Sequence, residues 1–214
     1  KKIKRNPGLK TISIHHGESF SQDTGCVTPP IFATSTFKHG NKGDFDYTRS
    51  GNPNFKILEN VLKSIEGANH CTVFGSGIGA VTAITSSLKS GDKILCESNL
   101  YGCTIRMFEK VFKKFGIQTF YCDFTKKEYI QIIAEVNPTL IWLESPTNPL
   151  LKVLNLKEIC KEANSNNIPV VVDNTFCTAI IQNPLDLGAT LSLTSTTKFI
   201  NGHSDALGGA VLTN

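Results

Sequence analysis

An alternation of short apolar runs with helical patterns, beginning after about residue 45, constrains the fold of this chain more than any other feature. Apolar residues at helical spacing predict two helices, over residues 57–65 and 105–115, and a glycine closes each of them. Five short apolar runs are typical of buried strands: Thr72–Phe74, Lys93–Cys96, Gln118–Tyr121, Thr139–Leu143 and Val170–Val172. The alternation predicts an α/β fold with a mainly parallel sheet and helices on both faces.

Glycine or polar segments directly follow three of these runs. They comprise residues 75–79, 144–149 and 173–175. Ligands of mainly parallel sheets bind beyond the carboxyl ends of the strands. We therefore expect the three segments to converge on one crevice.

The string Ser195-Thr196-Thr197-Lys198 carries groups with defined chemical uses. A lysine amine can condense with an aldehyde as a Schiff base, and hydroxyl groups just before it can hold a phosphate. Asp173 ends a buried strand, where a carboxylate needs a cationic partner. Together these groups supply what pyridoxal 5'-phosphate (PLP) needs to react. Taken alone, the lysine string also fits a solvated loop, and Asp173 also fits a helix cap before Asn174 and Thr175.

Six motifs accompany the lysine along the chain: Tyr47-Thr48-Arg49-Ser50-Gly51-Asn52-Pro53, Ser76-Gly77-Ile78, Tyr101-Gly102-Cys103-Thr104, Glu144-Ser145-Pro146-Thr147-Asn148-Pro149, Asp173-Asn174-Thr175 and Lys198-Phe199-Ile200-Asn201-Gly202-His203-Ser204-Asp205. In this order they resemble the Cys/Met-metabolism PLP enzymes. That family includes cystathionine γ-synthase, cystathionine γ-lyase, cystathionine β-lyase, methionine γ-lyase and the homoserine-ester sulfhydrylases. The resemblance covers nearly the whole chain, and it implies the large domain of PLP fold type I, which is aspartate-aminotransferase-like.

The resemblance implies that Lys198, Asp173 and Tyr101 are the catalytic residues. Lys198 forms the Schiff base with the cofactor and, once freed by the substrate amine, moves protons. Asp173 keeps the pyridine nitrogen protonated. Tyr101 stacks on the cofactor ring and takes part in proton transfer, although the residue alone also fits a packed core tyrosine.

Four further positions match the phosphate ligands of the family. Gly77 and Ile78 open an apolar helix, so their backbone amides can reach an anion at the positive end of that helix. Ser195 and Thr197 contribute hydroxyl groups. A glycine turn that serves only tight packing is the alternative for Gly77.

Two other pairs match family motifs around the site. Glu144 and Asn148 match a motif that edges the cofactor ring, although the proline-rich string 145–149 also fits a simple turn. His203 and Asp205 match residues that brace the lysine loop. The His and Cys residues show no metal-ligand spacing, so we expect no metal site.

Tyr47 and Arg49 lie in a Gly/Asn/Pro-rich stretch before the first large helix, where surface turn residues are common. In the family, the matching pair reaches across a subunit interface to the phosphate of the neighbouring subunit, and a guanidinium suits that bidentate contact. The resemblance therefore implies a homodimer, usually paired again into a homotetramer, with sites shared across the interface.

One stretch supports a different function. Gly75-Ser76-Gly77-Ile78-Gly79-Ala80 fits the G-x-G-x-x-G/A pattern of dinucleotide-binding folds. Glu97 ends the next strand, where such folds carry a ribose-binding acid. An NAD-dependent dehydrogenase is therefore the alternative, but it leaves Tyr101, Asp173 and Lys198 unexplained.

Residues 1–45 are rich in Gly, Pro, Ser, Thr and His without a sustained period, and we expect an extended N-terminal arm there. Residues 46–214 would form the PLP-binding large domain. Family members continue with the rest of that domain and with a smaller C-terminal domain that bears the substrate-carboxylate arginine. We therefore expect the large domain to be incomplete and the C-terminal domain to be absent from this chain.

The charge, the apolar runs and the cysteine content limit which binding partners and which cellular compartment we expect. The formal charge of +4 is dispersed apart from residues 1–5, which are typical of a solvated tail, so we expect no nucleic-acid partner. No run of about eighteen apolar residues occurs, so we expect no membrane partner. Seven scattered cysteines without a C-x-x-C pair favour a reducing compartment. We expect a cytoplasmic protein with a small-molecule amino-acid substrate.

The reaction within the family stays open. The resemblance implies elimination or replacement on a sulfur amino acid or an activated homoserine. Cys103 resembles methionine γ-lyase, whereas the segment 198–205 is closer to the cystathionine enzymes. We favour cystathionine γ-synthase or cystathionine γ-lyase, with methionine γ-lyase, cystathionine β-lyase and O-acyl-homoserine sulfhydrylase as alternatives. The presence of Lys198 and Asp173 disfavours a catalytically inactive interaction protein on the same scaffold.

Overall fold

A computed structural model describes residues 8–15, 25–41 and 43–214 of the chain. The chain divides into two compact units, residues 1–73 and residues 74–214. Within the described ranges, no helix combines the length and the apolarity needed to cross a bilayer.

The described residues of the first unit form the helices α1 (Leu9–His15) and α2 (Pro53–Glu66), and strand β1 (His70–Phe74) begins in this unit. Helix α2 starts at Pro53, four residues before the predicted range, and the Asn52 side chain caps it by accepting a hydrogen bond from the Asn54 amide. It ends at Gly67, whose φ of 69° suits glycine in the left-handed region. The predicted helix over residues 57–65 is therefore confirmed, together with its glycine stop.

Helix α1 differs from the extended arm that the sequence predicts over residues 1–45. The amides of Thr11 and Ile12 both bond to the Gly8 carbonyl oxygen, at 2.9 and 3.1 Å, and so begin a helix. No glycine or proline interrupts residues 9–15, so the backbone can close local hydrogen bonds there. The sequence analysis did not predict this helix within the N-terminal arm, because the average composition of residues 1–45 hid a short uninterrupted stretch.

The second unit is built around a sheet. Its elements are α3 (Gly77–Thr85), β2 (Lys93–Glu97), α4 (Gly102–Lys110), β3 (Gln118–Cys122), α5 (Tyr129–Val136), β4 (Leu140–Glu144), α6 (Leu156–Ser165), β5 (Val170–Asp173), α7 (Thr178–Ile181), β6 (Leu191–Thr194) and β7 (Gly209–Thr213). Its strands lie in the order β7-β6-β5-β4-β2-β3. Strands β2 to β6 pair in parallel, and β7 pairs antiparallel with β6. The predicted mainly parallel sheet is confirmed.

The two faces of this sheet bury separate apolar cores. On one face, Ile133 of α5 and Ile159 of α6 pack against the strands. On the other face, Val81 of α3 and Phe108 of α4 pack near Trp142 of β4, and the Phe108 and Trp142 rings meet edge to face with centroids 5.2 Å apart. Helices therefore cover both faces, as predicted, and the central strands are apolar throughout because neither face meets water.

The helix predicted over residues 105–115 is two elements in the structure. Helix α4 ends at Lys110, and a separate 3₁₀ turn covers Phe112–Phe115 before Gly116. Val111, between the two, has φ −107° and ψ −65°, which departs from regular helix geometry. Apolar spacing does not reveal this break, because the 3₁₀ turn keeps its apolar residues near the same face.

The carboxyl edge of the sheet places two acidic residues side by side. Glu144 and Asp173 are the last residues of β4 and β5, and they are register partners across this parallel pair. The end of β6 follows in the next position of the sheet. Residues beyond these three strand ends therefore meet at one edge.

Candidate active site

A cavity of about 380 Å³ opens at this edge of the sheet. It is lined by all the predicted cofactor-binding residues of the second unit: Gly77, Ile78, Tyr101, Asp173, Ser195, Thr197 and Lys198. Glu144 and Asn148 line it as well. The predicted convergence of three strand-end segments on one crevice is thus confirmed. Tyr47 and Arg49 belong to the first unit.

The start of helix α3 forms one wall of the cavity. The Ser76 hydroxyl caps the helix by accepting a hydrogen bond from the Gly79 amide at 3.0 Å, and the Ala80 amide bonds to the Ser76 carbonyl oxygen. The amides of Gly77 and Ile78, in the first turn, have no acceptor within the helix. Because both residues line the cavity, their amides can hold an anion there.

Two hydroxyl groups from the segment after β6 lie in the same cavity. The Thr197 hydroxyl and the Gly208 amide are 3.1 Å apart, which fixes the Thr197 side chain against the backbone that leads into β7. Ser195 lies directly over the start of α3, because a Cβ atom built on Gly77 would come within 2.8 Å of the Ser195 Cβ. Amides and hydroxyls therefore gather at one end of the cavity, as a phosphate group would require.

We expect Gly77→Ala to weaken the binding of an anionic cofactor by about tenfold or more, because overpacking at a tight contact typically costs about 1–3 kcal/mol. The added methyl group would have to displace Ser195, whose backbone Cα lies only 3.3 Å from its position. Gly102→Ala is the matched control, because nothing lies within 4 Å of a Cβ at that helical position. Equal cofactor dissociation constants for the two variants, measured by titration of cofactor-free full-length protein, would contradict the crowding argument.

Asp173 presents a partly unsatisfied carboxylate to the cavity. Its Oδ1 accepts hydrogen bonds from the Thr175 amide at 3.0 Å and from the Thr175 hydroxyl at 2.5 Å. Its Oδ2 makes no hydrogen bond with the described residues. Burial raises the pKa of Asp173, and the bonds from Thr175 oppose that rise. A carboxylate that has lost most of its water but keeps a free oxygen favours a cationic N–H partner.

The alternative of a helix-capping Asp173 is not what the structure shows. Helix α7 begins later, and Cys177 at its cap position makes no side-chain cap bond. The bond from the Thr175 amide to Asp173 is instead a local Asx-type turn. As a capping residue would, the Asp173 carboxylate accepts a hydrogen bond from a following backbone amide, that of Thr175, but no helix starts at this position.

Thr175 is a residue of this site that sequence reasoning missed. Its hydroxyl donates to Asp173 and also accepts a hydrogen bond from the Ser195 amide at 2.8 Å. It therefore ties the end of β5 to the turn that carries Lys198. An Asp followed two positions later by Thr is a recognised local turn pattern, so this half of the bridge was visible in the sequence. The hydrogen bond between Thr175 and Ser195 joins residues twenty positions apart, so no local sequence pattern predicts it.

Glu144 reaches the loop that precedes α4. Its Oε2 accepts a hydrogen bond from the Tyr101 amide at 2.6 Å, and only 5% of the residue is exposed. Burial and, to a lesser extent, the neighbouring Asp173 raise the pKa of Glu144 to about 8. Tyr101 itself is 42% exposed, which excludes the packed-core alternative for this residue within the chain.

The raised pKa of Glu144 predicts that the cofactor-free protein loses stability as the pH rises. Between about 4.5 and about 8, the folded chain holds a proton on Glu144 that the unfolded chain has released. The free energy of unfolding should therefore fall by at most about 1.4 kcal/mol per pH unit in that window, and this contribution is gone above the folded-state pKa. Urea unfolding at several pH values measures it. Glu144→Gln should flatten the dependence, and an unchanged slope in that variant would contradict the assignment.

Lys198 lies on an exposed turn at the mouth of the cavity. Its Nζ makes no hydrogen bond or ion pair with the described residues, while its carbonyl oxygen accepts a bond from the Gly202 amide at 2.8 Å. The Asn201 side chain donates to Asp205 at 2.8 Å, and the His203 ring lies 2.6 Å from the Asn201 carbonyl oxygen. These contacts agree with the expected bracing of the lysine loop by His203 and Asp205.

A second cavity of about 620 Å³ lies next to the first. Both are lined by Phe176, Thr197, Lys198 and Leu207. The Lys198 side chain is therefore at the junction of the two spaces.

Glu97 does not have the environment that the dinucleotide alternative requires. The residue is fully buried, and its Oε1 accepts hydrogen bonds from the Ser98 hydroxyl and the Asn99 amide at 2.9 and 3.0 Å. Its Oε2 accepts a bond from the Phe124 amide at 2.9 Å. A carboxylate that is fully engaged within the protein cannot bind a ribose, so its position after a strand reflects a structural role.

Cys96 and Cys122 are free thiols that are buried on opposite faces of the sheet. In the part of the chain that the structure describes, no group of three or more His, Cys, Asp or Glu side chains is arranged to hold a metal ion.

Comparison with known proteins places this arrangement in a family. The family model described as Cys/Met metabolism PLP-dependent enzyme matches residues 10–214. The chain is 40% identical over 210 residues to a probable cystathionine gamma-synthase of Herpetosiphon aurantiacus, with 97% of this chain and 66% of that protein covered. It is 39% identical over 213 residues to the cystathionine gamma-lyase of Dictyostelium discoideum, with 98% and 55% covered.

A solved structure agrees with these sequence matches. The crystal structure of cystathionine gamma synthase from Xanthomonas oryzae pv. oryzae, in complex with aminoacrylate and cysteine, superposes with a TM-score of 0.92 at 36% identity. The alignment covers 98% of this chain and 55% of that chain. Across these three comparisons, this chain spans between 55% and 66% of the length of its relative.

The mainly parallel sheet and the structural relatives define the class of this chain as an α/β fold that it shares with PLP-dependent enzymes. Within that class, the chain belongs to the Cys/Met metabolism PLP-dependent enzyme family. Family membership excludes the dinucleotide alternative. The relatives include enzymes named for γ-synthase, γ-lyase and β-lyase reactions, so the family does not by itself select one reaction.

Proposed function

We propose that the protein containing this chain is a PLP-dependent enzyme that eliminates or replaces a substituent of a sulfur amino acid or an activated homoserine. The observation that carries the proposal is the gathering, around one cavity, of a lysine amine, an anion-binding helix start and a carboxylate with a free oxygen. We favour a cystathionine γ-synthase or γ-lyase reaction, in agreement with the names of two of its relatives.

The polar residues around the cavity match the charged groups of PLP. The amides of Gly77 and Ile78 and the hydroxyls of Ser195 and Thr197 would hold the phosphate. The free Oδ2 of Asp173 would accept a hydrogen bond from the protonated pyridine nitrogen, whose positive charge would compensate for the burial of the carboxylate. One cavity thus contains amides and hydroxyls that favour an anion and a carboxylate that favours a cation.

Lys198 and Tyr101 complete the fit. The Lys198 amine lies on the same cavity, where it can attach the cofactor, and the exposed Tyr101 ring offers an aromatic surface for stacking.

The chemistry divides between the cofactor and these side chains. When bound, PLP withdraws electrons from the substrate carbon next to the amino group. Asp173 sustains that withdrawal by keeping its negative charge beside the ring nitrogen. The Lys198 amine would take and return protons at the substrate carbons, and Tyr101, which lines the same cavity, would assist proton transfer. Loss of a γ substituent requires the removal of a second proton, at Cβ, whereas loss of a β substituent does not. The Lys198 amine would therefore have to reach Cβ for a γ reaction.

A substrate panel tests the proposed reaction. Full-length protein should release an α-keto acid from cystathionine, or form cystathionine from an O-acylhomoserine and cysteine, faster than it releases an α-keto acid from methionine. A preference for methionine would favour the methionine γ-lyase alternative. The absence of turnover on every member of the panel by PLP-loaded protein would overturn the proposal.

We also propose that Tyr47 and Arg49 serve the site of a neighbouring subunit in a homodimer or homotetramer. The two side chains are exposed, and the Arg49 guanidinium carbon lies 5.0 Å from the centroid of the Tyr47 ring. This contact presents the pair as one unit with its cationic head accessible to a phosphate. A cytoplasmic location, where thiols stay reduced, remains a prediction.

Coexpression of an Arg49→Ala chain with a Lys198→Ala chain tests the shared site. Each mixed dimer would combine one intact Lys198 with one intact Arg49 at a single site, so random pairing should restore about a quarter of the wild-type turnover. The separately purified variants, mixed without exchange of subunits, are the control. Activity that stays at the level of the two variants would show that Arg49 acts within its own chain or not at all.

A further inference from the structure

The Tyr101 side chain hydrogen-bonds to Cys103, two residues further along the same segment, so this contact does not tie the ring to the sheet. Tyr101 is the residue before helix α4, and its side chain makes no helix-capping hydrogen bond. Its ring is 42% exposed and lines the cavity. The placement of the ring therefore depends on how firmly the Tyr101 backbone is held.

Glu144 supplies that hold from the neighbouring part of the sheet. Its residue is 5% exposed at the end of a strand that is buried along its whole length, so its backbone has little freedom. Its Oε2 accepts the Tyr101 amide hydrogen at 2.6 Å.

The earlier part of the same loop is held by a different carboxylate. Glu97 accepts hydrogen bonds from the Ser98 hydroxyl and the Asn99 amide. These contacts stop short of Tyr101. The Tyr101 carbonyl oxygen accepts bonds from the Thr104 and Ile105 amides at 2.9 and 3.2 Å, and the bond to Glu144 is the one that holds the Tyr101 amide against the sheet.

We propose that Glu144 is a positioning residue, which sets the Tyr101 ring against the cofactor by bonding the Tyr101 backbone amide. The proposal rests on the proposed function. It assigns to Glu144 a requirement for side-chain length and for an acceptor oxygen, since a bond of 2.6 Å cannot survive a large retraction of the carboxylate.

At a pH above about 8, where the wild-type Glu144 side chain is ionised, two conservative variants separate this requirement from a requirement for charge. Glu144→Gln keeps the length and an acceptor oxygen but removes the charge. Glu144→Asp keeps the charge but retracts the carboxylate by about one C–C bond, roughly 1.5 Å. We expect the PLP dissociation constant of cofactor-free full-length protein, followed by visible absorbance, to rise about tenfold in Glu144→Asp and less than about threefold in Glu144→Gln. The reverse order would overturn the proposal.

A double-variant cycle tests whether the effect passes through Tyr101. In a Tyr101→Ala background, Glu144→Asp should change the PLP dissociation constant by less than about twofold, because the ring it positions is gone. Effects that add in full would mean that Glu144 acts on the cofactor directly, and would also overturn the proposal. Glu109→Asp is the matched control, since Glu109 bonds the Tyr121 hydroxyl at 3.0 Å and does not line the cavity. Failure of the wild-type protein to bind PLP would instead count against the proposed function.

Discussion

Replacing Lys198 with alanine should lower turnover of the PLP-loaded full-length enzyme by about a thousandfold or more, because loss of a positioned acid–base group alone typically costs about 10²–10⁴-fold. The expected loss is large because one amine attaches the cofactor and moves the protons. Steady-state kinetics of Lys198→Ala, with the same substrate that the wild-type enzyme turns over, measures it.

The structure supplies a control for this substitution. Lys161 is an exposed lysine of helix α6 that does not line either cavity, so Lys161→Ala removes the same group from the surface alone. Turnover in Lys161→Ala should match the wild-type value. A Lys198→Ala enzyme that retains a tenth or more of wild-type turnover would show that another group does the chemistry.

Replacing Asp173 with asparagine should lower turnover by about 10²–10³-fold or more while the fold survives, since removing one positioned electrostatic contact has an effect of that size. An asparagine can still accept the bonds from Thr175 that hold this position. It cannot, however, supply the negative charge that keeps a pyridine nitrogen protonated. The loss should appear in kcat, with unfolding midpoints close to the wild-type value.

Asp186→Asn serves as the comparison, because Asp186 is exposed and does not line the cavity. It makes the same change of charge outside the site. If Asp173→Asn and Asp186→Asn had equal turnover, the carboxylate at the end of β5 would have no role in the chemistry.

The buried strands could be predicted because their physical signal is simple. Strands β4 and β5 are covered on both faces, so their sequences are continuous apolar runs that end in a single acid. The acid marks the carboxyl edge of the sheet, and parallel pairing brings Glu144 and Asp173 together there. This is why residues far apart in sequence could be expected in one cavity.

Strands β6 and β7 of the second unit were harder to predict from the sequence. Strand β6 has the sequence Leu-Ser-Leu-Thr, and two of its four side chains are hydroxyl groups. Strand β7 begins Gly-Ala and pairs antiparallel, which breaks the βα alternation on which the prediction depended. Local sequence patterns therefore do not identify these two strands. Strand β7 is defined by its pairing with β6 rather than by its own apolar content.

The contacts that complete the site were also beyond local patterns. The bonds from Ser195 to Thr175 and from Tyr101 to Glu144 join positions that only the folded sheet brings together. Neither acceptor side chain reveals its backbone partner in the sequence, since a threonine or a glutamate has many possible partners. Sequence patterns located the groups that would touch the cofactor, and the structure shows which groups hold them in place.

The most direct test of the account is to locate the cofactor on the chain. Full-length protein loaded with PLP and reduced with borohydride should carry the cofactor on the peptide that contains Lys198, and Lys198→Ala should carry none there. This result would join the cavity, the lysine and the cofactor in a single measurement. Covalent label on a different lysine of the wild-type protein, with the Lys198 peptide unmodified, would contradict the central claim.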